Sequence, residues 1–186
     1  MMYEIPAGQQ PWLRSFCAQS PPAVEYRVRL IIDQERAVAK SRVTAWRLIG
    51  MRLRLLALWR NVTGGHDQSL ILMAVIAITG DRLASQNLSP ELEDMATPVP
   101  RNMLGKCNIS SIAEATGLNR ETARRAVRKL IERGILERRA DRSVHFTEGR
   151  MQGENAYEIS RVQLEEFART ANALLRDGVL KLDPSN

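Results

Sequence analysis

Arginine and lysine recur through residues 120–133 wherever a side chain could meet a polyanion: Arg120, Arg124, Arg125, Arg128, Lys129 and Arg133. A guanidinium pairs bidentately with guanine, and any cation neutralises phosphate. On a helical projection Glu121, Arg125, Arg128 and Glu132 lie opposite Ala123, Ala126, Val127 and Leu130, with Arg124 and Lys129 on the flanks. A cationic face backed by a narrow apolar stripe suits a helix that packs on one side and touches nucleic acid on the other. The plainer reading is a solvated surface helix. Other chemistry has little to stand on. His66 and His145 are the only histidines, and neither has a cysteine or carboxylate at ligand spacing. His66, beside Asp67, reads as a helix-start residue, and His145 as exposed rather than catalytic. Cys17 and Cys107 lie far apart, which argues against a zinc site or disulfide framework and for a reducing compartment. Cys107 reads as an inert, partly buried thiol. The chain contains no GxGxxG, P-loop, HExxH or GxSxG string. No enzyme activity, metal or cofactor is expected.

The elements that must hold the cationic face follow from residues 108–139, NISSIAEATGLNRETARRAVRKLIERGILERR. Ser110 or Ser111 is expected to cap a short helix, and Ser111 with Glu114 has capping-box spacing. Ile112, Ala113 and Ala115 give that helix its apolar side. Gly117 ends it, because glycine tolerates the left-handed backbone of a tight exit. Leu118 plugs the turn and Asn119 caps the next helix, about 120–133. Gly134 ends that helix, and Ile135–Arg138 reads as a strand. Small residues where two helices meet, a glycine turn and a cationic outer face are the requirements of a major-groove reader.

This segment resembles the winged-helix bacterial transcription regulators, of the broad MarR-like and GntR-like kind. The string IAEATGLNRETARRAVRKLIERGIL follows their order of scaffold helix, glycine turn, recognition helix and Glu-Arg-Gly-Ile-Leu step into the wing. The match covers about 50 of the 186 residues. The resemblance implies a β-hairpin wing, with Ala156–Ile159 as its return strand and 139–155 as its loop; residues 143–147 form an alternative strand. It implies that Ser110 and Ser111 contact phosphate, and that Asn119, Arg120, Glu121, Arg124, Arg125, Arg128 and Lys129 approach bases or backbone. It further implies that Arg138, Arg139 and Arg142 reach an adjacent groove. The partner would be double-stranded DNA.

The rest of the chain has to pair and control this reader. The formal charge is +6; residues 23–60 carry a net +6, residues 61–100 a net −4 and residues 101–150 a net +6. Residues 1–22, rich in proline, glutamine and serine, read as a flexible arm. Residues 23–65 read as a helical dimerisation region, with helix from about 23 to 59 and a break at Gly50. On it Arg36, Lys40, Arg47 and Arg54 share one strip, and Val38, Ala45, Ile49 and Leu56 the opposite side. That strip reads as a solvated face, a phosphate-contacting face or a basic membrane-surface helix; the helix as a whole is expected to dimerise. A second helix, about 67–85, capped by Asp67 or Ser69, is apolar nearly all round and should be central. Residues 86–101 read as a loop with one helical turn near Pro90. The DNA-binding domain is placed at 66–160, and a C-terminal helix, about 162–175, with its tail at 161–186. The longest apolar run, Leu70–Ile78, has 9 residues, against about 20 for a membrane span, and the N-terminus lacks a signal-peptide pattern. A cytoplasmic protein without a membrane partner is expected.

The fold class is therefore mainly α: a winged helix-turn-helix with a small β-hairpin wing, flanked by a long N-terminal helical region and a C-terminal helix. The function that follows is a homodimeric, sequence-specific transcription regulator, a repressor by expectation, with room for an unidentified small-molecule effector. Two alternatives share the fold: a winged-helix protein–protein adaptor, and a plasmid or replication-initiation DNA-binding protein.

Overall fold

The computed structural model describes residues 29–84 and 88–183; the expected arm at 1–22 and the start of the expected first helix lie outside them. In chain order the elements are β1 (Arg29–Ile32), α1 (Gln34–Ala39), α2 (Ser41–Thr63), α3 (His66–Ala84), α4 (Ile109–Thr116), α5 (Arg120–Glu132), β2 (Leu136–Arg138), β3 (Val144–Phe146), α6 (Glu154–Arg176) and β4 (Leu180–Asp183). Single 3₁₀ turns lie at Pro90–Leu92 and Arg101–Met103. The protein is mainly helical with small antiparallel sheets, as composition and periodicity lead one to expect. Its described residues form two units, 63–152 and 29–62 with 153–183.

The 63–152 unit is built on α3. No residue from Asp67 to Gly80 is exposed, which is what a helix apolar all round requires. Ile71 and Val75 are fully buried, and α3 packs against α4 and α5 and touches β3. Ser69, expected as a possible cap, is instead buried. Its hydroxyl meets Thr63 Oγ1 at 2.8 Å and donates to the Gly65 carbonyl at 2.9 Å, tying the turn to the helix. Gly105 brings the returning chain onto α3, its N–H donating to the Thr79 carbonyl at 3.0 Å.

The second unit departs further from expectation. Residues 29–32 are a strand rather than helix, paired antiparallel with β4 so that Arg29 faces Asp183 and Ile32 faces Leu180. The Arg-Leu-Ile-Ile sequence is compatible with either state locally; a partner strand some 150 residues away decides it. The helical break falls at Lys40, while Gly50 lies inside the 23-residue α2; an interior glycine costs only about 1 kcal/mol, which a long helix absorbs. The C-terminal helix begins at Glu154, eight residues before its expected start, and the expected tail ends in β4.

The basic strip finds its partners within this unit. Arg47 Nε donates to Asp177 at 2.9 Å, Lys40 Nζ lies 3.8 Å from the same carboxylate, and Arg54 Nε donates to Glu166 at 2.6 Å. Trp59 Nε1 donates to Gln163 at 3.1 Å. Ascending positions on α2 meet descending ones on α6, so the helices run antiparallel. Three of the four strip cations thus pair with carboxylates of their own unit, each cation staying more than a third exposed.

Candidate nucleic-acid interface

Asn108, rather than Ser110 or Ser111, caps α4. Its side-chain carbonyl accepts from the backbone N–H groups of Ser110 (2.8 Å) and Ser111 (3.1 Å), while Ser111 Oγ accepts from Asn108 N–H at 2.9 Å. The capping box is Asn108–Ser111, not Ser111–Glu114, because the helix starts two or three residues earlier than serine placement suggests. The consequence reaches the site: Ser111 is half-buried with its hydroxyl engaged in the cap, whereas Ser110 is exposed. Gly117 leaves α4 at φ +70°, Leu118 is half-buried, and Asn119 caps α5 by accepting from Thr122 N–H at 2.8 Å.

Along α5 the stripe Ala123, Ala126, Val127 and Leu130 is buried, and the opposite face is open. Arg120, Glu121, Arg124, Arg125, Arg128, Lys129 and Glu132 are all exposed. Glu121 is held by a fork of bonds from Arg124, at 2.7 and 2.8 Å, with Arg125 at 3.4 Å. The Arg124 guanidinium keeps the Glu121 carboxyl below its usual range, and the pairing raises Arg124 in turn. Arg128 reaches Glu132 at 3.7 Å. Such exposed pairs within one helix are worth only a few tenths of a kcal/mol, so Arg124, Arg125 and Arg128 remain exchangeable for a phosphate or base partner. Arg120 and Lys129 have no acidic partner among the described residues. Arg133 has a different duty: its guanidinium donates to the Thr63 carbonyl and fastens the end of α5 to the turn before α3.

After Gly134, at φ +64°, the chain enters a hairpin of β2 and β3 in the register Leu136–Phe146 and Arg138–Val144. The return strand is Val144–Phe146, the alternative that residues 143–147 offered; Ala156–Ile159 belongs to the first turns of α6 instead. Arg142 N–H donates to the Arg139 carbonyl and Arg139 N–H to the Ser143 carbonyl, each at 2.9 Å. A tight turn followed by a left-handed residue, Arg142 at φ +65°, closes the loop. Asp141 accepts from Ser143 N–H (3.0 Å) and Ser143 Oγ (2.5 Å), which holds its carboxyl below the usual range. With its proton committed to Asp141, Ser143 Oγ accepts from His145 Nε2 at 3.0 Å. His145 is therefore the Nε2–H tautomer when neutral. It is buried, not exposed as its loop position suggested, because β3 turns it inward. Nothing in composition marks this chain of bonds; the Asp-x-Ser spacing is its only sequence signal. The Cys107 thiol is fully buried and pushed up to about 11 by desolvation, so it is inert. The Cys107 carbonyl accepts from Val144 N–H at 2.8 Å and braces the hairpin from its other side.

The hairpin presents Arg138 and Arg142 as exposed cations, while Arg139 is half-buried 3.4 Å from Glu137. Arg101 and Glu148, which sequence reasoning did not single out, join at 2.7 Å across the base of the hairpin. The 63–152 unit thus carries a helix with one open cationic face and, following it in the chain, a braced hairpin with two open arginines. No cluster able to hold a metal ion occurs among the described residues, nor is any single described helix long and apolar enough to cross a membrane. Comparison of the chain with protein-family models, with curated proteins and with solved structures yields no match.

Proposed function

We propose that the 63–152 unit is a winged helix-turn-helix that binds double-stranded DNA, and that the chain is a homodimeric, sequence-specific transcription regulator acting as a repressor. The observation that carries the reading is α5: four buried apolar residues on one side, five exposed cations on the other, and a capped helix with a left-handed glycine turn before it. In this reading α5 lies in the major groove with Arg120, Arg124, Arg125, Arg128 and Lys129 reaching base edges or phosphates. Asn119 and Ser110 approach the backbone, and Arg138 and Arg142 at the hairpin touch the neighbouring groove. Ser111 acts by holding α4 rather than by contacting phosphate, and Arg139 is the least available of the hairpin cations.

Dimerisation is supported by where apolar surface is left open. Every exposed large hydrophobic residue among the described ones lies in residues 29–62 and 153–183, Trp46, Leu53, Leu164 and Phe167 among them, and none in the 63–152 unit. Val43, Trp46, Gly50 and Leu53 repeat at the three- and four-residue spacing of a helix seam. Large open apolar stripes of this kind mark interaction surfaces.

Selection of bound duplexes from a random pool, followed by binding titrations of the enriched sequence, tests the reading. A single enriched motif bound with steep salt dependence is expected. Arg125→Ala should weaken binding by about 1–3 kcal/mol if it reads a base, and relax the preference at that position. Absence of duplex binding at low salt would overturn the proposal.

A further inference from the structure

The 63–152 unit holds a cleft of about 470 Å³, within the range of small-molecule sites. Ile76, Gly80 and Leu83 of α3 form its floor; the 92–104 segment makes one wall, and Arg139 with residues 145–149 the other. The lining is mainly apolar, and Thr79 Oγ1, a polar group on the floor, already donates to the Val75 carbonyl at 2.6 Å.

The ionic groups on the walls give the cleft a sign. Arg101 is paired with Glu148 at 2.7 Å, and Arg139 lies 3.4 Å from Glu137. Glu93 and Asp94, both exposed on the wall, have no cationic partner among the described residues; Asp94 only accepts from Ala96 N–H at 2.8 Å. An anion entering would have to compete with carboxylates already beside both guanidiniums. A cation meets two uncompensated carboxylates above an apolar floor.

We propose that this cleft binds a lipophilic cation: an aromatic molecule carrying one positive charge on an otherwise apolar body. Because Arg139 and residues 145–149 form its wall, occupancy would act on the hairpin and so on duplex affinity. That coupling rests on the DNA-binding reading; the binding site itself does not.

Titration calorimetry of the full chain with tetraphenylphosphonium and with tetraphenylborate, ions of like shape and opposite charge, tests it without nucleic acid. The phosphonium should bind one per chain, and the borate on the order of tenfold more weakly or not at all. Gly80→Phe should remove phosphonium binding. A Cβ at Gly80 meets no atom within 4 Å, and replacing a helical glycine favours the helix, so the fold should be kept, which circular dichroism checks. The Glu93→Gln/Asp94→Asn variant should weaken the phosphonium about fivefold, the loss of two exposed charge interactions, and leave the borate unchanged. No phosphonium binding, equal or tighter borate binding, or phosphonium binding that survives Gly80→Phe would each overturn the proposal. Phosphonium binding that leaves duplex affinity unaltered would keep the site and overturn the coupling.

Discussion

Arg142 is the single described non-glycine residue with φ in the left-handed region. That conformation costs an ordinary L-residue about 1–2 kcal/mol, so the hairpin tip keeps an exposed arginine against its own backbone preference. Arg142→Gly should raise stability by up to about 1 kcal/mol, part of the relief being offset by unfolded-chain entropy. The same change should weaken duplex binding. Urea unfolding and anisotropy titrations on the same variant separate the two effects. His145 gives the hairpin a pH dependence. Burial, and next the Arg139 charge, push the imidazole below its ordinary value near 6.5. As pH falls through 6.5 the unfolded chain takes up the proton first, so stability is full above that point and is lost towards the depressed folded value. The urea midpoint should drop between pH 7.5 and 5.5, and the drop should shrink in His145→Gln; an unchanged pH profile in that variant would place the titration elsewhere. At this scale the sequence was legible where a side chain's neighbours are local. Asn119 and Gly117 could be read from the turn chemistry around them. The burial of His145 could not, because it depends on which way β3 faces.

The elements divide in the same way. The boundaries of α5 follow from its caps and its period, both written within 15 residues. The return strand lies at Val144–Phe146 rather than Ala156–Ile159, about a dozen residues further on; both segments hold strand-forming residues, and what separates them is tertiary. Val144 N–H finds the Cys107 carbonyl, while Ala156–Ile159 continues into a long amphipathic helix fastened by Arg161 to Glu158 and Glu165. Gly105 is the element-scale residue whose role only packing reveals. A Cβ there would lie 2.5 Å from the Ile78 carbonyl oxygen, a backbone atom that cannot swing away. Gly105→Ala should cost about 1–3 kcal/mol, the range for overpacking a tight contact. Chemical denaturation measures it, and a loss under about 0.3 kcal/mol would mean that the 101–107 segment shifts freely.

For the whole molecule, the two units differ in how complete they are alone. The 63–152 unit closes its own core over Ile71, Val75, Ile112, Leu130 and Val144. The α2/α6 unit joins its helices through ion pairs and leaves Trp46 66% and Phe167 57% exposed. If a second copy covers that surface, Trp46→Glu should yield monomers in sedimentation equilibrium and weaken operator binding, with the helix content kept. A wild-type chain that sediments as a monomer at micromolar concentration would sink the homodimer while leaving duplex binding by α5 open.

The sequence by itself determined the cationic face of α5, its caps, the central place of α3 and the helical class, because each rests on period and on contacts within a few residues. Tertiary structure alone decided that β1 is a strand, that Lys40, Arg47 and Arg54 answer carboxylates on or just beyond α6, that residues 144–146 close the hairpin, and that a cleft lies beside it. Each of those depends on a partner far along the chain, whose position local propensity does not encode.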